Sequence, residues 1–457
     1  RLRGMERPFK LDVTEHLSRK RENVLLVGIH PPDKPGQPSP PPLSLNDHPG
    51  RNMGNGVIAK NYTKWDVLGW DWQPGVRERD IGITGEVYIT GSGSVKLQDV
   101  YVAADLNIPD TSFAYIRVAG QLINQTNKEQ KGKLQGTIEA IGHDDPPTNF
   151  SYPVTVDPGE TKKVELTPHM LDTLRLENPR LWWPADWGQP NRYRLTLKYE
   201  TGDGVQHQTR EIFGIRDIKS YMGKNERVYR INGKDVYMKG GNWVIDMMLN
   251  WNYNRYVKEL KMARNSGINM LRVWGPTGVP PEGFFRAADS LGIMIWQDFL
   301  NDYWGTHQNN PEYKPPKEIY YESSVDLVKK LRNHPSLVIW SGGNEGPNQY
   351  ESMVMHHILP EYDPWGGRHY LRISNGSGLH GGGPYHTIRP EEYFESSQLT
   401  GFSSEIGPSG LPVLESMELF LPELGETWLD DHFPIYGDWG YHDANDRTGD
   451  DPRRLND

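Results

Sequence analysis

Two glutamates carry the clearest chemistry in this chain. Glu345 follows the apolar run Leu337–Trp340 and the pair Gly342-Gly343, beside Asn344. A carboxyl at a strand end against an apolar wall and Trp340 is desolvated. Desolvation raises a carboxyl pKa and keeps its proton, as a general acid needs. Glu405, in Leu399–Gly407, closes a second short strand-like run. Two carboxyls from separate strand ends facing one cleft are what glycosidic cleavage requires. One protonates the leaving oxygen; the other attacks the anomeric carbon or activates water. Each Glu alone reads more readily as a solvated loop carboxylate, so the elements that would position them decide the matter.

Those elements come in two rhythms. From Val95 to Asp217 the pattern is all-β: Val100–Leu106, Phe113–Val118, Gly136–Ile141, Lys163–Leu166, Tyr193–Tyr199 and Arg210–Phe213 alternate or run apolar between turns. Such spacing predicts a β-sandwich. Upstream, Asn23–Ile29 and Gly85–Thr90 read as strands, with a Pro-rich loop, Pro31–Pro42, between them. After Ile218 the order becomes strand, helix, strand. Val236–Met238, Ile268–Trp274, Ile293–Phe299 and Leu337–Trp340 are expected strands; Tyr253–Ser266, Pro281–Leu291 and Lys317–Asn333 are expected helices. Gly267 and Gly292 stand where helix C-caps favour glycine. Repeated βα units predict parallel strands with crossover helices, and polar residues gather just past each strand, where a barrel keeps its active site.

Composition excludes several alternatives. The 457 residues suggest about three domains at ~150 each. Lys+Arg is 50 against Asp+Glu 60, with no basic tract, so nucleic acid is not an expected partner. No apolar run of about 18 residues suggests a membrane span. Cysteine is absent, which removes thiol nucleophiles, thiolate metal sites and disulfides. No dinucleotide loop, P-loop, HExxH or GxSxG elbow is found, so neither metal nor cofactor is expected. Four Asn-x-Ser/Thr sequons, at Asn61, Asn124, Asn149 and Asn375, are glycosylation candidates and permit secretion.

An ordered series of segments resembles glycoside hydrolase family 2, in its β-mannosidase, endo-β-mannosidase and exo-β-glucosaminidase branch. The segments are Leu11-Asp12-Val13-Thr14, Ile29-His30-Pro31-Pro32, Gly69-Trp70-Asp71-Trp72, Leu181-Trp182-Trp183-Pro184, Phe213-Gly214-Ile215-Arg216, Gly240-Gly241-Asn242-Trp243, Arg272-Val273-Trp274-Gly275, Trp296-Gln297-Asp298-Phe299, Arg332-Asn333-His334-Pro335-Ser336, Gly343-Asn344-Glu345, Gly383-Pro384-Tyr385 and Ser404-Glu405-Ile406-Gly407. The resemblance implies three domains: residues 1–94, the C-terminal part of a sugar-binding jelly-roll sandwich; 95–217, an immunoglobulin-like β-sandwich; and 218–457, a catalytic (β/α)8 TIM barrel lacking its last strand. Only residues 1–10 precede Leu11, and no eighth-strand tryptophan motif follows Glu405, so a fragment of a larger enzyme is implied, with other fragments of the same precursor as partners.

The resemblance also implies roles. Glu345 would be the acid/base and Glu405 the nucleophile of a retaining β-glycosidase acting on mannosidic bonds of an oligosaccharide or glycan. Asn344 would bind the sugar 2-position and Asp71, beside Trp72, its hydroxyls. Trp243 and Trp274 would stack on sugar faces or pack the barrel. Arg272 would orient the nucleophile; Asn242, Asp298 and Tyr385 complete the expected substrate contacts. Trp274 stands where glucosaminidase relatives carry a carboxylate, which favours a neutral sugar. Pro276-Thr277-Gly278 replaces the Gly-Gly run of most mannosidase relatives, so an exo-β-D-glucosaminidase or another family 2 β-glycosidase is a competing reading, and the incomplete barrel adds a non-catalytic carbohydrate-binding fragment as another. A secreted or lysosome- or vacuole-like location would follow.

Overall fold

The computed structural model describes residues 7–18, 20–30, 82–83, 85–246, 252–275, 278–300, 316–344, 346, 350–381, 383–384, 388–395, 401–407 and 413–419. Residues 95–213 form a β-sandwich of eight strands: β1 (Val95–Asn107), β2 (Asp110–Asn124), β3 (Gln130–Ala140), β4 (Thr148–Val156), β5 (Thr161–Leu166), β6 (Arg175–Glu177), β7 (Tyr193–Thr201) and β8 (Gly204–Phe213). One sheet runs β1-β2-β5, with β6 also on β2; the other runs β4-β3-β7-β8. All these pairings are antiparallel. Alternate residues such as Leu195, Leu197 and Tyr199 point into a shared core with Ile116, Val118 and Leu134. That period of two is the strand signature read from the sequence.

Three further strands, β9 (Ile218–Met222), β10 (Arg227–Ile231) and β11 (Lys234–Val236), make a small antiparallel sheet. A parallel sheet follows in the order β12 (Gly240–Trp243), β13 (Met270–Val273), β14 (Met294–Asp298), β15 (Leu337–Ser341), β16 (His369–Leu371). Helices α1 (Tyr253–Asn265), α2 (Glu282–Leu291) and α3 (Lys317–Leu331) join its first four strands. Every residue of β13, β14 and β15 is buried, as in sheets covered on both faces. One face carries Leu271, Val273, Ile295 and Leu337 against the helices. The other packs Met270, Met294 and Trp296 with Ile218, Tyr229 and Ile231 of the small sheet. Gly292 ends α2 at φ +71, and a Cβ there would sit 2.8 Å from the Ala185 nitrogen, so glycine is needed twice over.

Two expectations need correction. The first parallel strand is not Val236–Met238 but Gly240–Trp243, which lies in register with Met270–Val273. Its two glycines read as a turn; the neighbouring strand overrides that local preference. Asn23–Ile29 and Gly85–Thr90 are not strands. Their apolar side chains, Leu26 at 93% and Tyr88 at 73% exposure among them, face away from any described core. A strand pattern becomes a strand only where a neighbouring backbone takes its N–H and C=O groups. Among the described residues the parallel sheet has five strands and is open at both edges.

The sandwich is bolted to the parallel sheet by buried polar groups. A bulge in β1 at Gln98–Tyr101, with Asp99 at φ +54, turns that strand toward α3. Lys329 Nζ lies 2.7 Å from Asp99, Arg332 Nη2 donates to the Asp99 carbonyl, and Tyr101 Oη donates to Asp363 at 2.6 Å. Asn333 donates to the Val100 carbonyl and accepts from Val102 N. His334 Nδ1 is 2.7 Å from Asp289, so this histidine is structural. Among the described residues no helix is long and apolar enough to cross a membrane.

Candidate active site

The site sits at the C-terminal ends of the parallel strands, and its centre is Arg272. Period two puts Arg272 of β13 on the inner face; its register partner is Trp296, and Asp298 lies two residues further along β14. The guanidinium lies over the Trp296 ring, 5.1 Å from its centre. All five N–H donors of the fork find acceptors. Nε and Nη2 grip Asp298 Oδ2 at 3.2 and 2.7 Å. Nη2 also donates to Asn344 Oδ1 at 2.6 Å. Nη1 donates to Glu405 Oε1 at 2.5 Å and, more weakly, to Asn242 Oδ1 at 3.4 Å. Burial alone would lower the Arg272 pKa; the charges of Asp298 and Glu405 outweigh it and the net shift is upward.

Glu405 reaches this centre from far along the chain. It follows β18 (Phe402–Ser403), which pairs in parallel with β17 (Leu379–His380). Phe402 anchors the ribbon, edge-on to Trp296 at 6.3 Å and to Tyr229 at 5.9 Å. Asn344 extends from β15 and is 4% exposed. Strands β12, β13, β14 and β15 and the β17–β18 ribbon thus deliver Asn242, Arg272, Asp298, Asn344 and Glu405 to one point.

The remaining expected residues fall differently. Glu345, Asp71, Trp72 and Tyr385 lie outside the described residues, as does Asn61. Trp243 is not placed for sugar stacking. Its ring packs 4.5 Å from Phe284, and its Nε1 donates to Glu259, so it belongs to the helix layer. Trp274 is 6% exposed, and its backbone N–H donates to the Trp243 carbonyl at 3.4 Å. Asp298 is not a sugar ligand: it is fully buried, and besides Arg272 it accepts from Trp296 Nε1 at 2.8 Å and Gly275 N at 3.2 Å. Asn124 does not suit a glycan. It is 1% exposed, and its amide donates to the Lys128, Val156 and Asp157 carbonyls. Asn149 is exposed and Asn375 half-buried. Among the described residues no cluster of His, Asp or Glu could hold a metal ion. Sequence reasoning assigned no role to Trp296 or Phe402. The two-residue spacing of Trp296 and Asp298 carried the signal for the first; nothing local marked the second.

A sheet of parallel strands with crossover helices, presenting acids and amides at its C-terminal rim, is the scaffold on which α/β enzymes, barrels and open sheets alike, build their sites. The model for glycosyl hydrolases family 2 matches residues 95–216, and that family's TIM barrel domain matches residues 282–373. Both matches are to models of glycosyl hydrolases family 2, over two separate parts of the chain. It is 28% identical to a mannosylglycoprotein endo-β-mannosidase of Lilium longiflorum, aligned over 93% of this chain and 47% of the relative. It is also 28% identical to an exo-β-D-glucosaminidase of Streptomyces avermitilis, over 81% of this chain and 42% of the relative. The solved β-D-mannosidase of Dictyoglomus thermophilum superposes with a TM-score of 0.66 at 25% identity, covering 87% of this chain and 49% of that one. The chain therefore spans under half the length of these relatives.

Proposed function

We propose that the chain is a retaining β-glycosidase that hydrolyses β-mannosidic bonds in oligosaccharides or glycans. The observation that carries the reading is the shared guanidinium of Arg272, which holds Glu405 at 2.5 Å and Asn344 at 2.6 Å. Asn344 immediately precedes Glu345 in the sequence, which supports reading Glu345 and Glu405 as the two acids of one site. In this mechanism Glu345 protonates the leaving oxygen while Glu405 attacks the anomeric carbon. Water then cleaves the glycosyl-enzyme with Glu345 as base, the carboxyls standing ~5–5.5 Å apart. Asn344 spends its oxygen on Arg272, which leaves its NH2 to donate to the sugar 2-oxygen. The five-stranded sheet is read as part of a (β/α)8 barrel, with the jelly-roll segment over 1–94, the sandwich over 95–217 and the barrel domain from 218. Asp71 and Tyr385 are proposed to complete the sugar pocket, and a secreted or lysosome- or vacuole-like compartment is the matching location.

The competing reading is an exo-β-D-glucosaminidase, as in the Streptomyces relative. Trp274, where that reading expects a carboxylate to pair with the substrate ammonium, favours a neutral sugar. The test is a panel of aryl β-mannoside, β-glucosaminide, β-glucuronide and β-galactoside. Release from the mannoside, abolished in Glu345→Gln, is the expected result. Preference for the glucosaminide selects the second reading. Sugar binding without release from any of the four identifies a non-catalytic fragment.

A further inference from the structure

We propose that Asp298 is a positioning residue for the nucleophile. It holds the Nε–Nη2 edge of Arg272, so that the guanidinium meets Glu405 end-on through Nη1. The inference rests on the reading of Glu405 as nucleophile and goes beyond it. An arginine fork prefers to give a carboxylate two parallel N–H bonds. Two carboxylates compete here for one fork, and the structure resolves the competition in favour of Asp298. Asp298 takes the Nε–Nη2 edge, both donors converging on Oδ2 at 3.2 and 2.7 Å with Nε also 3.4 Å from Oδ1, and Glu405 takes a single donor of the fork at 2.5 Å.

Asp298 wins because it cannot move. Trp296 Nε1 holds Oδ1 at 2.8 Å, and the backbone of Gly275 donates to Oδ2 at 3.2 Å. Its anchors come from the exits of β13 and β14, and it has no exposure to solvent. The guanidinium plane is rigid, so fixing one edge fixes where Nη1 and Nη2 place Glu405 and Asn344. Without Asp298 the fork is free to rotate and take Glu405 by its edge. That turns the nucleophile's carboxylate away from its line of attack and releases Asn344.

The test compares Asp298→Asn and Asp298→Ala in the full chain, on whichever aryl β-glycoside the parent turns over. Asp298→Asn keeps the side-chain shape but puts an amide NH2 where an acceptor stood. Its kcat is expected to fall about 100-fold, as for a small misplacement of reacting groups, with KM within about threefold. A sugar ligand would raise KM instead. Asp298→Ala is expected to regain activity with added formate, a carboxylate small enough for the vacated site, and not with chloride at equal ionic strength. Natively folded Asp298→Asn with kcat within about threefold of the parent, or with KM rising in step with the loss, overturns the proposal. If Asp298→Ala does not fold, Asp298→Asn decides alone. If the parent cleaves none of the glycosides, or Glu405→Gln keeps its turnover, it is the reading of the site that fails, and the role of Asp298 falls with it.

Discussion

Two buried arginines behave in opposite ways in this molecule. Arg272 lies at the strand-end rim, and Arg216 lies at the junction between sandwich and sheet; they are 2% and 8% exposed. Arg216 spends its donors on backbone carbonyls, those of Pro335 at 2.5 Å and Leu337 at 2.8 Å. Burial, helped by the like charge of Arg368, pulls its pKa down to about 9. Arg272 spends its donors on two carboxylates and is shifted upward. Burial of a cation is therefore not by itself the mark of a site. Counter-charge is the difference: the junction uses arginine as a hydrogen-bonding bolt, the rim uses it to gather anions.

The largest effect should come from removing the rim cation. Arg272→Met leaves Asp298 buried and unpaired, and losing one partner of a buried pair costs about 3–5 kcal/mol. Urea unfolding should show that loss, and activity should vanish with it. A stability change under about 1 kcal/mol would mean that Asp298 is neutralised some other way.

The junction offers the reverse case, an anion without a bonded cation. Glu211 on β8 accepts from Asn333 Nδ2 at 3.0 Å and Thr209 Oγ1 at 3.4 Å, both neutral donors. Burial pushes its pKa from 4.5 up to about 7. A raised folded-state pKa favours the protonated form. Its contribution is therefore complete below pH 4.5 and is lost as pH rises through about 7. The loss is on the order of 3 kcal/mol. Glu211→Gln should flatten that part of the stability–pH curve; an unchanged curve would sink the assignment.

Arg216→Met should cost less than Arg272→Met, about 2 kcal/mol, because it strands a carbonyl rather than a charge. The Leu337 carbonyl keeps Arg368 Nε at 3.0 Å, so only Pro335 loses its donor. Tyr101→Phe should be smallest, about 1 kcal/mol, because Asp363 retains Arg368 and Trp340 as donors. If Arg216→Met proves the costlier of the two arginine changes, the contrast between bolt and anion-gatherer is wrong.

The sequence made the two regions legible to different degrees. The rim could be read because parallel strands announce their ends: MLRV, MIWQD and LVIWS are buried runs, and the polar residues follow directly. The junction could not. Leu181–Pro184, Phe213–Arg216 and Arg332–Ser336 stood out as motifs, but their meaning is mutual contact. Trp182 N donates to the Ile215 carbonyl, and a Cβ on Gly214 would sit 2.6 Å from Pro335. No local pattern encodes such partners. Strand β4 escaped notice because Thr148–Val156 includes Pro153, which breaks a strand pattern; it is tolerated because β4 pairs only with β3, at the sheet edge. Asp298 was read as a substrate contact from the family resemblance alone, which does not say how deep the residue lies.

One measurement bears most directly on the nucleophile at the centre of this account. The parent chain is treated with a 2-deoxy-2-fluoro-β-mannosyl fluoride, which forms the glycosyl-enzyme but resists its hydrolysis. Peptide mass spectrometry then locates the adduct. A fluoromannosyl group on Glu405, absent when free mannose competes, is the expected result. An adduct on any other carboxylate, or ongoing mannoside hydrolysis with no adduct, contradicts the assignment.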